Sequence, residues 1–488
     1  MAQQFNMGIE TLVPWGITEK ILDALAQEMD DIPEEEQTQY TRLYAQRFRE
    51  RKGIWDIYFE APYQFQTLKR LKVCMAPNLA MFKTEKPSLL RRVFKDLYDT
   101  RKVIKKAMKD DERSLESFKK KYLDEQLEKT EAYYKEYDVW ETKIQNGDSN
   151  QHAHKIAANA GYGAIANENF ADHFEIRIAE AITTAGQCST RHIMFKLNEW
   201  INKTYNLEGD HCFYGDTDSI YTEFKGVVKA SGWDELSDSE ITDKLDELMT
   251  TTIEPLYIQW AEELASSYNC PINALFFKRE AIAMVAIFTT KKRYAMLLTD
   301  NEGVRYATPK LKIVGLEARK SNYPMFCREW MKTGYQLALE EKKTELHDFV
   351  AKCEVEFMKS RNINEYGAAQ NINNIEDYLS NGVAVKGTPY HVKGAINHNT
   401  LLTKVDAPQI MPLRSGNKYY VLPLRKGSPF GMEVIAYDDQ LPKEFNLEKF
   451  IDKDAAFSKC FINPLTNFLV AIKWEAKAPT SFSLNSLF

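Results

Sequence analysis

The 488-residue sequence contains no Cys-x-x-Cys pair, and its eight histidines are widely scattered. A zinc site or a thiol redox centre of the usual spacing is therefore not expected. The seven cysteines are an odd number without a pairing pattern, which predicts reduced and mostly buried thiols. His152 and His154 lie two positions apart, so on a helix they point to different faces and form no metal-ligand pair.

Long apolar runs are missing as well. The longest, 281–288, has the length of a buried strand and falls short of the roughly 20 residues that a bilayer requires. The N-terminus lacks the basic lead and small-residue cleavage site of a secretory signal. We therefore expect an intracellular chain with no membrane partner. Because 44% of the residues are apolar and 12% aromatic, the chain can bury a sizeable core, in two to four domains or subdomains.

The sequence has no overall excess of positive charge, since its net charge is −6. Nucleic-acid binding usually leaves a basic footprint, so this value at first argues against such a partner. Basic residues nevertheless outnumber acidic ones by 14 to 7 over 83–121 and by 10 to 4 over 278–320, whereas residues 208–264 contain 3 basic and 15 acidic residues. This segregation is typical of basic walls beside an acidic, metal-attracting region, although a solvated surface also produces charge runs.

Glycine and proline are nearly absent from 86 to about 170. The spacing there predicts long antiparallel helices, interrupted at Lys109–Glu112 and at Asn146–Asn150. Helices are also predicted over 172–205 and 236–268. The remaining predictions are a β-hairpin over 211–221, strands over 276–315 with a turn at 300–303, helices to about 380, and then short strands such as 418–424.

The predicted hairpin contains Asp216 and Asp218, two positions apart at its turn. Alternate residues of a strand share a face, so both carboxylates could reach one divalent ion. Asp-Thr-Asp is also an ordinary turn sequence, and the flanking strands are what favours a rigid metal clamp.

Lys155, Asn159 and Tyr162 recur at i, i+4 and i+7 on one helical stripe. Lysine can bind a phosphate and the ring can pack on a base or sugar, while Gly161 and Gly163 would let a ligand approach the backbone. The alternative is a surface stripe whose tyrosine covers the core.

Two further groups are basic. Arg101 and Lys105, at i and i+4, could grip a triphosphate, although two cations on a solvated helix are common. The second group consists of Lys291, Lys292, Arg293, Tyr294, Lys310 and Lys312. These residues would suit binding to the phosphate backbone of a duplex. The alternative is that they only protect the edge of a sheet from pairing with another strand.

Taken in order, these motifs resemble those of family B DNA polymerases. Lys155-x-x-x-Asn159-x-x-Tyr162-Gly163 resembles the fingers motif B, Tyr214-Gly-Asp216-Thr-Asp218-Ser219 the palm motif C, and Lys291-Lys292-Arg293-Tyr294 the primer-contacting motif that follows. The likeness covers nearly the whole chain and is greatest to the replicative polymerases of T-even-type bacteriophages. Residues 309–317 and 420–425 resemble the same phage group.

The resemblance implies an α+β right hand without an exonuclease domain. Its antiparallel palm would comprise 1–85 and 167–315, its helical fingers 86–166, its mixed helical thumb 316–476, and a clamp-binding tail 477–488. The implied activity is template-directed DNA synthesis from dNTPs on a primer-template, in the cytoplasm of an infected bacterium. The alternative is a non-catalytic DNA- and clamp-binding protein.

The resemblance also implies roles for residues. Asp218 would bind the catalytic metal with Asp216 close by, and Glu280 would lie near two Mg²⁺ ions, which Mn²⁺ could replace. Arg101, Lys105, Lys155 and Asn159 would hold the triphosphate, and Tyr162 would pack near the nascent base pair. Lys292 and Tyr294 would contact the primer end. In the tail, Leu484, Leu487 and Phe488 resemble the anchors of a sliding-clamp peptide, or else form a frayed terminus.

One expected motif is missing. Family members have a second catalytic aspartate in an Asp-Ser-Leu-Tyr-Pro-Ser motif, which this sequence lacks, and residues 3–11 resemble the stretch that directly follows it. We therefore expect a split polymerase, in which a separate N-terminal polypeptide supplies this aspartate and the exonuclease. A gene start placed too late and a decayed fragment are the alternatives.

Overall fold

A computed structural model of the chain describes residues 1–31, 41–48, 54–61, 64–172, 174–359, 366–380, 383–405 and 407–478. The chain divides into two compact units. The first comprises 1–282 with 299–308, and the second comprises 283–298 with 309–488. The mixture of helices and small antiparallel sheets agrees with the predicted α+β class. The palm, fingers and thumb boundaries stay predictions.

The first unit is mainly helical. Its helices are α1 (Trp15–Asp30), α2 (Gln66–Leu71), α3 (Leu89–Asp124), α4 (Glu131–Ile165), α5 (Ile176–Tyr205), α6 (Lys225–Ala230), α7 (Asp238–Leu248) and α8 (Glu254–Ser267). A π-helical turn, Met249–Ile253, joins α7 to α8. Its antiparallel hairpins pair β1 (Thr41–Phe48) with β2 (Ile54–Ala61), β3 (Val73–Met75) with β4 (Met81–Lys83), and β5 (Tyr214–Asp216) with β6 (Ser219–Tyr221).

The long helices α3 and α4 pack against each other along their length. α3 begins after Ser88, whose hydroxyl accepts a hydrogen bond from the Arg91 N–H at 3.1 Å, satisfying one free donor of the first turn. The chain reverses between Asp124 and Glu131. The prediction of long helices in this region is therefore confirmed.

The two breaks predicted within these helices are wrong, because both stretches are helical. Lys109 is buried and pairs with Glu112 one turn later, at 2.9 Å between Nζ and Oε2. A Cβ at Gly147 would lie 2.9 Å from the Cβ of Met108, so the glycine permits close packing of α4 on α3. A local ion pair and helix packing thus outweigh the turn preference of Asp and Gly.

α5 is the central support of the first unit. One part packs with N-terminal residues such as Phe5 and with Tyr268 in a continuous core. Further along, Ile193, Leu197 and Ile201 are fully buried and face α8 in a second core. Their i, i+4, i+8 spacing is that of an apolar helical face. Because so much of α5 is buried, it is a rigid base for the hairpin β5–β6.

The second unit combines helices with a three-stranded sheet. Its helices are α9 (Met325–Leu339), α10 (Lys343–Lys359), α11 (Tyr390–Leu402), α12 (Lys453–Phe457) and α13 (Asn463–Leu469). The shorter strands are β10 (Ala368–Ile372), β11 (Leu379–Ser380), β12 (Val383–Ala384), β13 (Asn417–Pro423) and β14 (Val434–Tyr437), with sheet order β10-β13-β14 and a separate β11–β12 pair. The prediction of helices to about 380 is wrong in its last part, because α10 ends at Lys359 and a strand follows.

Three longer strands contain residues of both units. They are β7 (Ala281–Thr290), β8 (Arg293–Asn301) and β9 (Val304–Val314), which form one sheet in that order. Two-residue turns connect them, so neighbouring strands run antiparallel. The strands and the turn predicted for this region are confirmed. In the turn between β8 and β9, Glu302 and Gly303 both have positive φ, 55° and 80°, as a tight hairpin turn requires.

In the part of the chain that the structure describes, one helical segment, Lys453–Ile472, is long and apolar enough to cross a membrane by length and composition. No segment of this kind was predicted from the sequence. Phe457, Phe461 and Leu465 from this segment are buried in the core of the second unit, which accounts for its apolar character. A core helix meets the same criterion, and the absence of a membrane partner stays a prediction.

The cysteines are free thiols, six of them buried and Cys270 half-buried, which confirms the prediction. Burial raises the pKa of the Cys74 thiol to about 12. Its Sγ also lies 2.9 Å from the carbonyl oxygen of Phe5 and donates to it. Because the thiolate is the reactive form, this cysteine is chemically inert near neutral pH.

Candidate active site

The hairpin β5–β6 places Asp216 and Asp218 at its turn, with Asp216 paired to Ser219. The Asp218 N–H donates to the carbonyl oxygen of Asp216 at 2.6 Å, and Thr217 between them has a φ of 59°. A β-branched residue seldom adopts this left-handed conformation, and such strain is found preferentially at functional sites. The predicted hairpin is confirmed. The argument from alternate residues of one strand does not apply, because Asp218 lies in the turn and not in the strand.

The turn is attached to α5. The hydroxyl oxygen of Thr190 lies 3.1 Å from the carbonyl oxygen of Thr217, to which it donates. At the other end of the hairpin, the side-chain oxygen of Asn198 accepts hydrogen bonds from the backbone N–H groups of His211 and Cys212, at 2.8 and 3.1 Å. These bonds hold both ends of the hairpin on one rigid helix.

Close packing of the hairpin on α5 explains Gly215. A Cβ at this position would lie 3.1 Å from the sulfur of Met194, which is closer than ordinary contact. The rings of Tyr214 and Tyr221 pair across the two strands at 5.2 Å between centroids. The hairpin therefore presents its turn on a well-defined support, as a catalytic carboxylate requires.

The two carboxylates differ in exposure: Asp218 is exposed and Asp216 is half-buried. Their oxygens are the hard ligands that Mg²⁺ prefers. Among the described residues, no group of three or more His, Cys, Asp or Glu side chains is arranged to hold a metal ion. Glu280 is exposed and forms no three-ligand group with the two aspartates, so its metal role stays a prediction. The hairpin thus fits part of a divalent-metal site.

On α4, the predicted stripe runs from solvent to core. Lys155 and Asn159 are exposed, whereas Tyr162 is half-buried and packs against the core that contains Phe94. A Cβ at Gly161 would lie 3.0 Å from the Phe94 ring, so this glycine serves helix packing and not ligand approach. The exposed cation and amide remain accessible to a ligand, and Tyr162 anchors the stripe.

Arg101 and Lys105 do not point to one ligand in this structure. The Arg101 Nε donates to the side-chain oxygen of Gln151 on α4 at 3.1 Å. Lys105 forms an ion pair with Glu302, in the turn between β8 and β9. Arg101 is therefore brought to the helix that contains Lys155, whereas the charge of Lys105 is neutralised by a carboxylate far away in sequence. Their shared grip on a triphosphate stays a prediction.

The predicted DNA-contacting motif lies in the second unit. Lys291 and Lys292 are exposed in the turn between β7 and β8. Arg293 pairs with Glu317, at 2.6 Å between Nη2 and Oε2. Tyr294 is buried, 4% exposed, and stacks on Phe288 at 4.7 Å. Tyr294 is therefore part of the core packing, and its contact with a primer stays a prediction.

Two more cations of this group lie on β9. Lys310 is exposed and Lys312 is half-buried, two positions apart on one face of the strand. The predicted clamp-binding residues Leu484, Leu487 and Phe488 lie outside the described residues.

The sequence pattern of DNA polymerase family B matches residues 135–422, more than half of the chain. The chain belongs to this family. It is 34% identical over 342 residues to the DNA-directed DNA polymerase of Escherichia phage RB69, an alignment that covers 66% of this chain and 37% of that protein. The corresponding enzyme of Enterobacteria phage T4 is 29% identical over 351 residues, or 69% and 38% of the two chains. DNA polymerase 037L of Invertebrate iridescent virus 6 is 26% identical over 253 residues, or 52% and 18%.

These similarities confirm the resemblance found in the motifs. The matches to this family B chain span less than two fifths of the length of each phage relative. The region matched by the family pattern includes most of α4 and the hairpin β5–β6, and it begins after Arg101 and Lys105. The family pattern therefore does not bear on the assignment of those two cations.

Sequence reasoning missed the residues that support this family B chain's hairpin. Thr190 and Asn198 were given no role, although they and Asn202 are polar positions beside the buried apolar residues of α5. The side-chain oxygen of Asn202 accepts a hydrogen bond at 2.9 Å from the Nε2 of the His211 ring. Polar residues on the buried side of a helix next to a predicted hairpin were the available signal. Glu302 was also missed, because no sequence pattern near it or near Lys105 indicates that the two residues form a contact.

Proposed function

We propose that this chain performs template-directed DNA synthesis, adding nucleotides from dNTPs to the 3′ end of a primer, in phage DNA replication. The observation that supports this most directly is the Asp216-Thr217-Asp218 turn, fixed on α5 within the region that matches the family. An acidic turn with a strained central residue and rigid support is what a metal-dependent nucleotidyl transfer needs. The proposed place of action is the cytoplasm of an infected bacterium.

Asp218, with Asp216 close by, would hold Mg²⁺, and Glu280 would lie nearby. Two Mg²⁺ ions bound there would supply electrostatic stabilisation of the charge that develops in phosphoryl transfer, and Mn²⁺ accepts the same ligands. Lys155 and Asn159 would bind the triphosphate, since a lysine and an amide on one exposed face suit phosphate oxygens. Tyr162, anchored in the core, would pack near the nascent base pair.

The carboxylate pair on this hairpin is half of the set that two metal ions require. We propose that the missing aspartate comes from a polypeptide with an Asp-Ser-Leu-Tyr-Pro-Ser motif, on a separate N-terminal subunit that also contains the exonuclease. Completing a metal site across subunits requires a large and stable contact.

The DNA partner would be bound through the phosphate backbone by the exposed cations of the second unit. Lys291 and Lys292 in one turn and Lys310 and Lys312 on β9 are suited to such sequence-independent contacts. The C-terminal residues Leu484, Leu487 and Phe488 would bind a sliding clamp, as the resemblance of the tail to clamp peptides suggests.

Primer extension tests the proposal. The purified chain, with Mg²⁺, dNTPs and a primer-template, would be assayed alone and together with a polypeptide that contains the missing motif. We expect extension only with both chains, and its loss in Asp218→Asn. Glu223→Gln, an exposed carboxylate just beyond β6, is the matched control and should extend normally.

The outcomes separate the alternatives. Robust extension by the chain alone would show that another residue replaces the missing aspartate, which contradicts the split-enzyme proposal. DNA and clamp binding without extension in any combination would favour the non-catalytic alternative. Equal activity of the Asp218→Asn and Glu223→Gln variants would contradict the assignment of the hairpin as the metal site.

A further inference from the structure

The ion pair between Lys105 and Glu302 connects α3 to the turn between β8 and β9 within the first unit. Both side chains are partly buried, 31% and 22% exposed. Lys105 is one of the cations predicted to bind the triphosphate, and Glu302 engages the same ammonium group that a phosphate oxygen would need. Arg101, one turn earlier, donates to the neutral amide of Gln151.

Further contacts hold the same turn against the same side of α3. A Cβ at Gly303 would lie 3.7 Å from the guanidinium of Arg113. Burial, with the nearby carboxylates of Glu112 and Glu116, raises the pKa of Tyr306 to about 12. Positions 105, 112 and 116 recur at i, i+7 and i+11, which defines one face of a helix. This face of α3 is therefore docked on the β8–β9 turn.

Glu302 is held in place by its own backbone. Its N–H donates to the carbonyl oxygen of Glu280 at 2.5 Å, and the next N–H, of Gly303, donates to Asp300 at 3.0 Å. Asp300 is fully buried and pairs with Arg279 and Arg305. The carboxylate of Glu302 thus projects from a turn whose backbone is fixed by hydrogen bonds. Its ion pair with Lys105 therefore differs from one between two mobile surface side chains.

We propose that Glu302 competes with the triphosphate of the incoming nucleotide for Lys105, and so sets the nucleotide affinity of this chain. The ligand class rests on the proposed function. A lysine ammonium is a compact point charge, so it cannot be fully engaged by a carboxylate and by a phosphate at once. Nucleotide binding then requires release of α3 from the turn, which couples the ligand to the position of the helix.

Equilibrium dialysis of dATP with Mg²⁺ against the full chain tests this competition. Glu302→Gln removes the competing charge and keeps the size of the side chain. We expect it to tighten dATP binding about fivefold, the factor that corresponds to a partly exposed ion pair. Glu302→Asp, whose shorter side chain keeps the charge but reaches less far, should give an intermediate affinity. Lys105→Gln should weaken binding.

Glu116→Gln is the matched control. Glu116 lies on α3, pairs with Lys119 at 2.8 Å, and is similarly exposed, at 15% with 31% for its partner. The Glu116→Gln substitution removes one negative charge from the same region and leaves the Lys105–Glu302 ion pair in place. If Glu302→Gln binds dATP no more tightly than Glu116→Gln, the proposal is wrong.

The double variant Lys105→Gln with Glu302→Gln shows whether the effect passes through Lys105. We expect it to bind like Lys105→Gln alone, because the two residues act as a pair. If Glu302→Gln tightened dATP binding even when Lys105 is replaced by Gln, the proposal would be overturned. The proposal would also be overturned if neither the wild-type chain nor the Glu302→Gln variant bound dATP. The polymerase function is judged separately, since tighter dATP binding without any primer extension would contradict the function and leave the competition intact.

Discussion

The hydroxyl of Thr190 lies 3.1 Å from the carbonyl oxygen of Thr217, the residue between the two aspartates of the hairpin turn. It lies at the same distance from the carbonyl of Gly186, one helical turn back. One side chain thus ties the strained turn to α5, which is packed into two cores of the first unit, and this makes Thr190 a positioning residue for Asp218.

Thr190→Val should lower the turnover number of the complemented enzyme about tenfold or more, because small displacements of reacting groups are costly. The KM for dNTP should change little, since the nucleotide-binding stripe lies on another helix. Thr184→Val is the matched control. Thr184 is a buried threonine of the same helix, and its hydroxyl donates to the Glu180 and Ala181 carbonyls of α5 itself. Equal losses in both variants would indicate a general weakening of α5.

Lys155→Ala should raise the KM for dNTP about tenfold, the factor expected from one charged hydrogen bond. The thermal unfolding temperature should stay unchanged, because Lys155 is exposed on α4. Steady-state primer extension with the complementing polypeptide measures the effect. Lys135→Ala, an exposed lysine near the start of the same helix, should have the wild-type KM. A fall in turnover at constant KM would contradict a role in nucleotide binding.

Asp300→Asn should destabilise the first unit by about 3 kcal/mol, because it leaves two arginines without their buried anion. Asp300 is fully buried, and the Arg279 side chain that pairs with it is only 8% exposed. Chemical unfolding measures the change. Asp243→Asn removes a 67% exposed partner of Arg305 and should cost less than about 0.5 kcal/mol. Similar costs for the two variants would show that burial of the network is unimportant.

His192 should make the chain sensitive to mild acid. Burial, with a smaller effect of Lys196, lowers the pKa of His192 to about 4. Below pH 6.5 the unfolded chain takes up a proton at this site, whereas the folded chain does so only near pH 4. Stability should therefore fall as the pH drops through this interval, by about 3 kcal/mol between pH 7 and pH 4. His192→Gln should remove this part of the acid sensitivity in unfolding measured across the interval, and an unchanged pH profile would contradict it.

The hairpin could be predicted because its signal is local: aromatic and apolar residues flank a short acidic turn. The interruptions predicted at Lys109–Glu112 and Asn146–Asn150 failed for the opposite reason. Whether such sequences break a helix depends on Lys109 meeting Glu112 and on Gly147 meeting Met108, and the second contact crosses to another helix. Tertiary packing overrides local propensity in such cases.

In the candidate site, too, local features could be predicted from the sequence and long-range contacts could not. The side-chain types at Asp218, Lys155 and Asn159 were enough to nominate them, and their exposure fits the nomination. The partner of Lys105 could not be predicted, because Glu302 is 197 positions away and nothing nearby marks it. The burial of Tyr294 beside Phe288 could not be predicted either, because it depends on strand register, and the contact of Tyr294 with a primer stays a prediction.

The burial of the thiols has a practical consequence for following the hairpin in solution. With six cysteines buried and Cys270 half-buried, a cysteine introduced at an exposed position would be the preferred target of a thiol-reactive fluorophore. Phe213, 51% exposed just before β5, is such a position. A dye attached there would report the environment of the acidic turn without removal of any native thiol, and its emission could record when a metal ion, a nucleotide or a second polypeptide arrives.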